Sequence, residues 1–503
     1  MESLSDTQWD VVISGTGLQQ SLLALALSRS GKNILHVDPN DYYGGPEAAF
    51  SLPEADEWAK KHVSSGPKDA LFRGAEVKQE ADELASRRAY TLALAPQLIH
   101  SRSKLVSQLV DSKAFRHIEF LAVGSFFIYQ PTSGSSASSL SRIPSTREDV
   151  FSNTAIPTRS KRSLMKFLKF VLDFDSEPQT DLWHAHADEP LDGFLASAFK
   201  LDAALQSYII TLTLSHNGKI SVKDGLTTIH RHLSSMGVFG PGFAAVYPKW
   251  GGLSEVAQVG CRAAAVGGAV YMLGTGIKDV RQAPPEGDQT EPKLELELTN
   301  DMAVKTRRLV EGSEQPTMDN SRISRLTAIT KIDLSSLFKL FAEGAPIPAV
   351  AVVAFPAGSL PSEDGNSSEY PVYAMVHSSD TGECPSGQYV IYLSTVHDAS
   401  SKSILEKALS SLVATVRGGD EAISSPLSIY QLYYEQCRGT SSLVVNGNTA
   451  TLPLPPVDLA FNDTVLDPIQ EAWNTFLGIF KEEDAQYMKF EDREGQDDED
   501  AYE

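Results

Sequence analysis

The first forty residues restrict the fold of this chain more than any other segment. Trp9-Asp-Val-Val-Ile-Ser14 is a short β-branched run ending at Gly15-Thr-Gly17, and Leu18 to Arg29 is apolar at helical spacing until Gly31. Asn33-Ile-Leu-His-Val-Asp38 predicts a second strand. Strand, glycine turn, helix and strand make a βαβ unit, the architecture that cradles a dinucleotide pyrophosphate at a helix N-terminus. Asp38 falls about 20 residues past the glycines, where an acid would bind a ribose hydroxyl.

Two further signatures follow, Asp41-Tyr-Tyr43-Gly44-Gly45 and Tyr247-Pro-Lys-Trp-Gly251-Gly252, the second leading into an apolar helix over Leu253–Ala265 and a strand over Ala269–Leu273. Together with the βαβ unit they resemble the flavoprotein superfamily that includes amine oxidases, whose nucleotide-binding half is discontinuous in sequence. The fold class this implies is α/β: a degenerate FAD/NAD(P)-binding domain built from residues 1–120 and 234–480. Between these parts, Leu92–Phe120 and Ser163–Leu233 carry Leu, Ala, Lys and Phe at three- and four-residue spacing and predict helices. Residues 121–233 are therefore expected to form an inserted, mainly helical domain. Alternating runs at Ala349–Phe355, Tyr370–His377 and Tyr389–Val396 predict strands returning to the first domain. Loops are expected at Thr132–Ser141, Pro284–Pro292, Gly312–Arg322 and Ser359–Glu369, and residues 481–503 form an acidic tail expected to be disordered.

The cofactor is a separate question. In GxGxxG the third glycine admits close packing of helix, strand and pyrophosphate, and here that position is Gln20. Related flavoenzymes carry Arg before the second glycine pair, where this chain has Tyr43, and close the site with a C-terminal Gly-Asp. Gly418-Gly419-Asp420 is the one candidate, and it does not continue as a glycine-rich helix. The fold is read as kept and the cofactor as lost, with Gly15, Gly17, Gln20 and Asp38 a degenerate dinucleotide motif. A flavin-dependent oxidase stays open as the alternative from another class.

Composition narrows the rest. A net charge of -22 over 503 residues argues against nucleic-acid binding, which needs clustered cations to release counterions. No run approaches the roughly 18 apolar residues of a membrane span, and the acidic first residues do not form a signal peptide, so a cytosolic protein is expected. Cys261, Cys384 and Cys437 are far apart and indicate neither disulfides nor zinc. The pairs His184/His186 and His230/His232 point to opposite helix sides, so no metal site is expected. No GxSxG, HExxH or GxxxxGKS/T string is present, and no catalytic residue is assigned.

The first 280 or so residues resemble one branch of the superfamily, the Rab GDP dissociation inhibitors and Rab escort proteins. The resemblance rests on Asp10–Leu18, Ser28–Gly31, Leu35–Asp38, Tyr42–Gly45, Val123–Phe126, Ile143–Thr146, Met165–Val171 and Gly251–Leu273, in order and at matching spacing. Ser28-Arg-Ser-Gly31, Leu35-His-Val-Asp38 and the added loops and tail favour the escort side. The resemblance implies a non-catalytic protein that binds GDP-loaded Rab GTPases. It would present them to geranylgeranyl transferase, chiefly its alpha subunit, and deliver the product to membranes. The rival within the branch is an inhibitor that extracts and recycles prenylated Rab.

The same resemblance implies site residues. Tyr43, Glu255 and Arg262 correspond to the GTPase-binding platform. Residues 255 and 262 are separated by almost two helical turns, so they share a face and are too distant to pair with each other. Leu94, Ile99, Leu105 and Val106 match the region that forms an apolar groove for the GTPase's C-terminal segment. The geranylgeranyl lipid is expected between helices of the inserted domain. Leu191 or Phe194, with the choice open, is expected to be exposed as the anchor for the transferase; for these two, as for the four groove residues, ordinary core is the alternative reading.

Overall fold

The computed structural model of the protein describes residues 4–63, 70–80, 84–131, 138–144, 150, 157–283, 293–313, 321–340, 343–360, 368–418, 426–439, 442–454, 456–480 and 486–491. The βαβ unit is present as read: β1 (Gln8–Ser14) and β2 (Ile34–Asp38) are parallel and joined by α1 (Leu18–Ser28). They lie inside an eight-stranded sheet, between the strands Val270–Leu273 and Ala303–Gly312. Val11 and Ile13 enter the apolar cluster that holds α1, whereas Val12 joins Leu35 and Leu296 on the other face. Burial on both faces is why β1 reads as a continuous apolar run.

α1 is buried along most of its length by the sheet and by the helices Leu253–Val266 and Asp467–Phe480. Leu22, Leu23, Leu25 and Leu27 are all fully buried, each worth roughly 1.5–3 kcal/mol of transfer free energy. The 253–266 helix packs on α1 with Gly260 facing Ser21, where an added Cβ would make ordinary contact at 3.4 Å with the Ser21 carbonyl oxygen.

The predicted strands of the C-terminal half are found at Val350–Phe355, Val372–Ser378 and Tyr389–Val396, in a second, ten-stranded and mainly antiparallel sheet. That sheet also contains Phe120–Gln130 and, beside it, Ser139–Arg142. The boundary expected at residue 121 therefore falls within a strand, and the end of the loop expected over 132–141 is itself a strand. The long helices between the two halves begin at Thr158. The bulky run Phe120-Leu-Ala-Val-Gly-Ser-Phe-Phe-Ile-Tyr packs on both sheet faces, an environment that selects strand. Leu92–Phe120 likewise departs from the helical expectation. Within it only Lys104–Asp111 is α-helical and Ala114–His117 is a 3-10 turn, while Leu92–Ala93 and Ile99–His100 are short strands. Pro96 breaks the helical pattern between those strands.

The helical unit comprises chiefly Thr158–Leu172, Leu191–Phe199, Ala203–Leu212 and Val222–Ser235, closed on its own apolar cluster. Gly419-Asp420, the loop segments 132–137, 284–292, 314–320 and 361–367, and residues 481–485 and 492–503 of the tail lie outside the described residues.

Candidate functional site

β1 delivers Gly15-Thr16-Gly17 to the start of α1, whose N-cap residue, Gly17, has no side chain to cap the helix. The exposed donors of a helix start attract an anion, and here the chain supplies its own. Glu47, on the 3-10 turn after Tyr42-Tyr43-Gly44-Gly45, accepts from the Leu18 amide at 3.2 Å and is 5% exposed. Gln20 folds over the same turn. Its Oε1 and Nε2 lie 2.9 and 3.4 Å from where side chains on Gly17 and Gly15 would begin, and its Nε2 also packs against Gly312. Asp38 is spent as well. Its carboxylate accepts from the Thr16 amide (2.6 Å), the Thr16 hydroxyl (2.7 Å) and both nitrogens of Asn40 (2.8 and 3.0 Å).

These residues do not fit a dinucleotide. The Gln20 amide and Glu47 carboxyl occupy the pyrophosphate's place against the turn, and the acid that would hold a ribose already binds its neighbours. Gln20 was legible in sequence, but Glu47 was not. The sequence hint was an acid two residues past a glycine pair, and only the fold brings it to α1.

Glu47 makes the closed cradle sensitive to pH. Burial pushes its carboxyl up from 4.5 to about 7, against the lowering effect of the hydrogen bond from Leu18. The folded state thus holds this proton more tightly than the unfolded chain does. Its contribution to stability is complete below pH 4.5 and is lost as pH rises through about 7. Glu47→Gln keeps an acceptor for Leu18 and cannot ionise. We expect it to match the wild type near about pH 4 and to exceed it by about 3 kcal/mol near pH 8 in urea denaturation. A pH-independent difference would show that Glu47 does not titrate in this range.

The platform residues lie next to this cradle. The turn that launches the 253–266 helix is tight: a Cβ on Gly251 would sit 2.5 Å from that of Ala49, and one on Gly252 2.7 Å from the Tyr247 hydroxyl. Beneath it, Glu383 is fully buried and accepts from the hydroxyls of Tyr247 (2.7 Å) and Tyr392 (3.0 Å), and bonds His377 Nδ1 at 2.7 Å. From this braced start the helix buries Val256, Val259, Gly260 and Cys261 and leaves Glu255 half-buried and Arg262 exposed. The Glu255 carboxyl is raised by burial and drawn back by the charge of Arg262, yet no hydrogen bond or ion pair within 4 Å engages either side chain among the described residues. Tyr43, 210 residues before the start of the helix, is brought to it. Its ring centroid is 6.5 Å from that of Tyr271, and its hydroxyl is pushed up by burial and by the nearby Cys261. Tyr43 therefore lies beside the helix that carries Glu255 and Arg262.

The other predicted contact residues do not form surfaces. Leu94, Ile99, Leu105 and Val106 are at most 8% exposed and belong to the cores beneath the two sheets, so no groove is open along them. Leu191 and Phe194 are 1% and 3% exposed, inside the helical cluster. Leu105 and Val106 lie on the helix Lys104–Asp111 and Leu191 and Phe194 on the helix Leu191–Phe199, where helical spacing alone cannot distinguish core from docking face, while Leu94 and Ile99 lie in a bend and a two-residue strand. Large apolar side chains that are exposed include Val238, Phe239, Leu340 and Ile347, on two neighbouring segments. Their irregular Gly- and Pro-rich setting carries no periodic signal. Among the described residues no cluster of His, Cys, Asp or Glu is arranged to hold a metal ion, and no helix is long and apolar enough to cross a membrane.

The fold is flavoprotein-like, its cradle is filled by its own side chains, and the adjoining helix carries an acid and a base without partners among the described residues. The chain belongs to the GDP dissociation inhibitor family, whose model matches residues 5–290. It is 29% identical over 429 residues to the Rab proteins geranylgeranyltransferase component A of Saccharomyces cerevisiae, covering 84% of this chain and 68% of that one. The crystal structure of RAB GDI from Plasmodium falciparum has a TM-score of 0.65 at 17% identity, covering 94% of this chain and 98% of that one. An oxidoreductase from Methanosarcina mazei has a TM-score of 0.54 at 9% identity, covering 93% and 99%. The last two establish a shared fold alone.

Proposed function

We propose that this protein is a Rab escort protein. It binds newly made, GDP-loaded Rab GTPases, presents their C-terminal cysteines to geranylgeranyl transferase and carries the prenylated product to membranes. It is an accessory component and not a catalyst. The observation that carries this reading is that Tyr43 lies against the helix that carries Glu255 and Arg262, two opposite charges whose side chains make no hydrogen bond or ion pair among the described residues. Unspent opposite charges on a rigid helix give orientation and specificity to a protein partner. The similarity to a geranylgeranyltransferase component A supports escort over the recycling inhibitor. Since Leu94, Ile99, Leu105 and Val106 are core, the exposed Val238, Phe239, Leu340 and Ile347 are the apolar surface offered to the GTPase's C-terminal segment.

Two measurements test this. A reconstituted reaction with unprenylated Rab, geranylgeranyl pyrophosphate and the transferase should be stimulated by this protein, and an inhibitor would not stimulate it. Changing Tyr43, Glu255 or Arg262 to Ala should weaken Rab binding by about 2 kcal/mol, some thirtyfold. For Glu255 and Arg262 stability should stay within about 0.5 kcal/mol of wild type. Parallel loss of binding and stability in these two would make them structural and remove the platform.

A further inference from the structure

A cleft of about 490 Å³ opens between the helical unit and the second sheet, within the size range of roughly 300–1,000 Å³ typical of small-ligand sites at domain junctions. One wall is the 213–221 link and the first turns of the helix Val222–Ser235. The other is Arg438 and residues 458–464. None of its residues belongs to the platform or the closed cradle.

Its charge is out of keeping with the rest of the molecule. The cleft carries Arg231, Arg438 and Lys219 against Asp458 and Asp224, and Arg325 lies behind Asp458. Four cations thus meet two carboxylates, in a chain of net charge -22. The single carboxylate of Asp458 is shared among three guanidiniums: Arg438 is 3.4 Å away, and Arg325 and Arg231 act on it as well. Arg231 donates to the Phe461 carbonyl at 3.2 Å, and Arg325 to Gln436 and the Val457 carbonyl. Asp224 lies at the rim, engaged by the Ser221 hydroxyl.

A second observation is independent of the arginines. His100 lines the cleft, is 2% exposed, and its Nδ1 is buried without a hydrogen-bond partner. An orphaned buried polar atom is costly, and the residue that carries this one lines the cleft. The hydroxyls of Thr213, Thr228 and Thr464 add polar groups to the walls.

We infer that this cleft binds a phosphate-bearing small ligand, a phosphomonoester or diphosphate, held between Arg231 and Arg438. Phosphate suits the site better than a further carboxylate. It offers more acceptor oxygens to the guanidinium forks, and two negative charges match the surplus of two. The source is either a soluble phosphate ester or the headgroup of a phosphorylated lipid.

The test is isothermal titration of the full chain with inorganic pyrophosphate, run beside co-sedimentation with phosphatidylcholine vesicles carrying phosphatidylinositol 4-phosphate. Arg231→Gln and Arg438→Gln should each weaken binding about tenfold, roughly one lost charged contact. Because both arginines also hold the fold, Thr228→Glu provides a second variant. It sets a negative charge on the wall with the arginines intact, and should weaken binding comparably at an unchanged melting temperature. Pyrophosphate binding sensitive to Thr228→Glu supports a soluble ligand, and vesicle binding alone with the same sensitivity supports a headgroup. Absence of binding to both probes, or binding that Thr228→Glu leaves unchanged, overturns the inference.

Discussion

Alanine at Leu191 and Phe194 should unfold the helical unit before it affects any transferase contact. Both side chains are buried in one cluster. Leu191 Cδ2 lies 2.7 Å from where a Cβ on Gly225 would be, and the Phe194 ring lies 5.7 Å from Phe199 and 6.3 Å from Phe170. Truncating either residue removes its transfer free energy and leaves a cavity, so each change should cost about 2–5 kcal/mol. The two sites share one cluster, so their costs should not simply add. Thermal denaturation is the direct measurement, and any loss of prenylation should follow the fraction unfolded. A double variant with wild-type melting temperature and no prenylation would mean that these residues reach the surface and contact the transferase.

A comparable loss is expected at Glu383. Replacing it with Ala leaves the hydroxyls of Tyr247 and Tyr392 and Nδ1 of His377 without their shared acceptor, in a site with no exposure to solvent. Removing one member of a buried polar network costs about 3–5 kcal/mol. The network underlies the Gly251-Gly252 turn, so the helix carrying Glu255 and Arg262 should lose its fixed start and Rab binding should weaken as well. Urea denaturation gives the stability term. Titration of the still-folded protein at low temperature gives the binding term. A variant within about 0.5 kcal/mol of wild type would show that the turn holds its shape without the network.

What could be read along the chain was local. β1, α1, β2, the glycine turns and the 253–266 helix follow from residue type and period, because backbone sterics and turn chemistry act over a few residues. Gln20 already showed that the cradle was damaged, and residues 255 and 262 share a helix face by geometry alone. What only the tertiary structure decided was burial and convergence. Nothing local separates an inward apolar stripe from a docking one: the family resemblance put Leu94, Ile99, Leu105, Val106, Leu191 and Phe194 at contact surfaces, their residue types read as well or better as core, and core is where they lie. Phe120–Gln130 became a strand because flanking sheet neighbours were available on both edges. Glu47 reached the start of α1, Tyr43 reached Cys261, and Arg231 reached Asp458 across 29, 218 and 227 residues of chain. Such pairings depend on how the sheets and helices close on one another, and sequence spacing does not encode that closure.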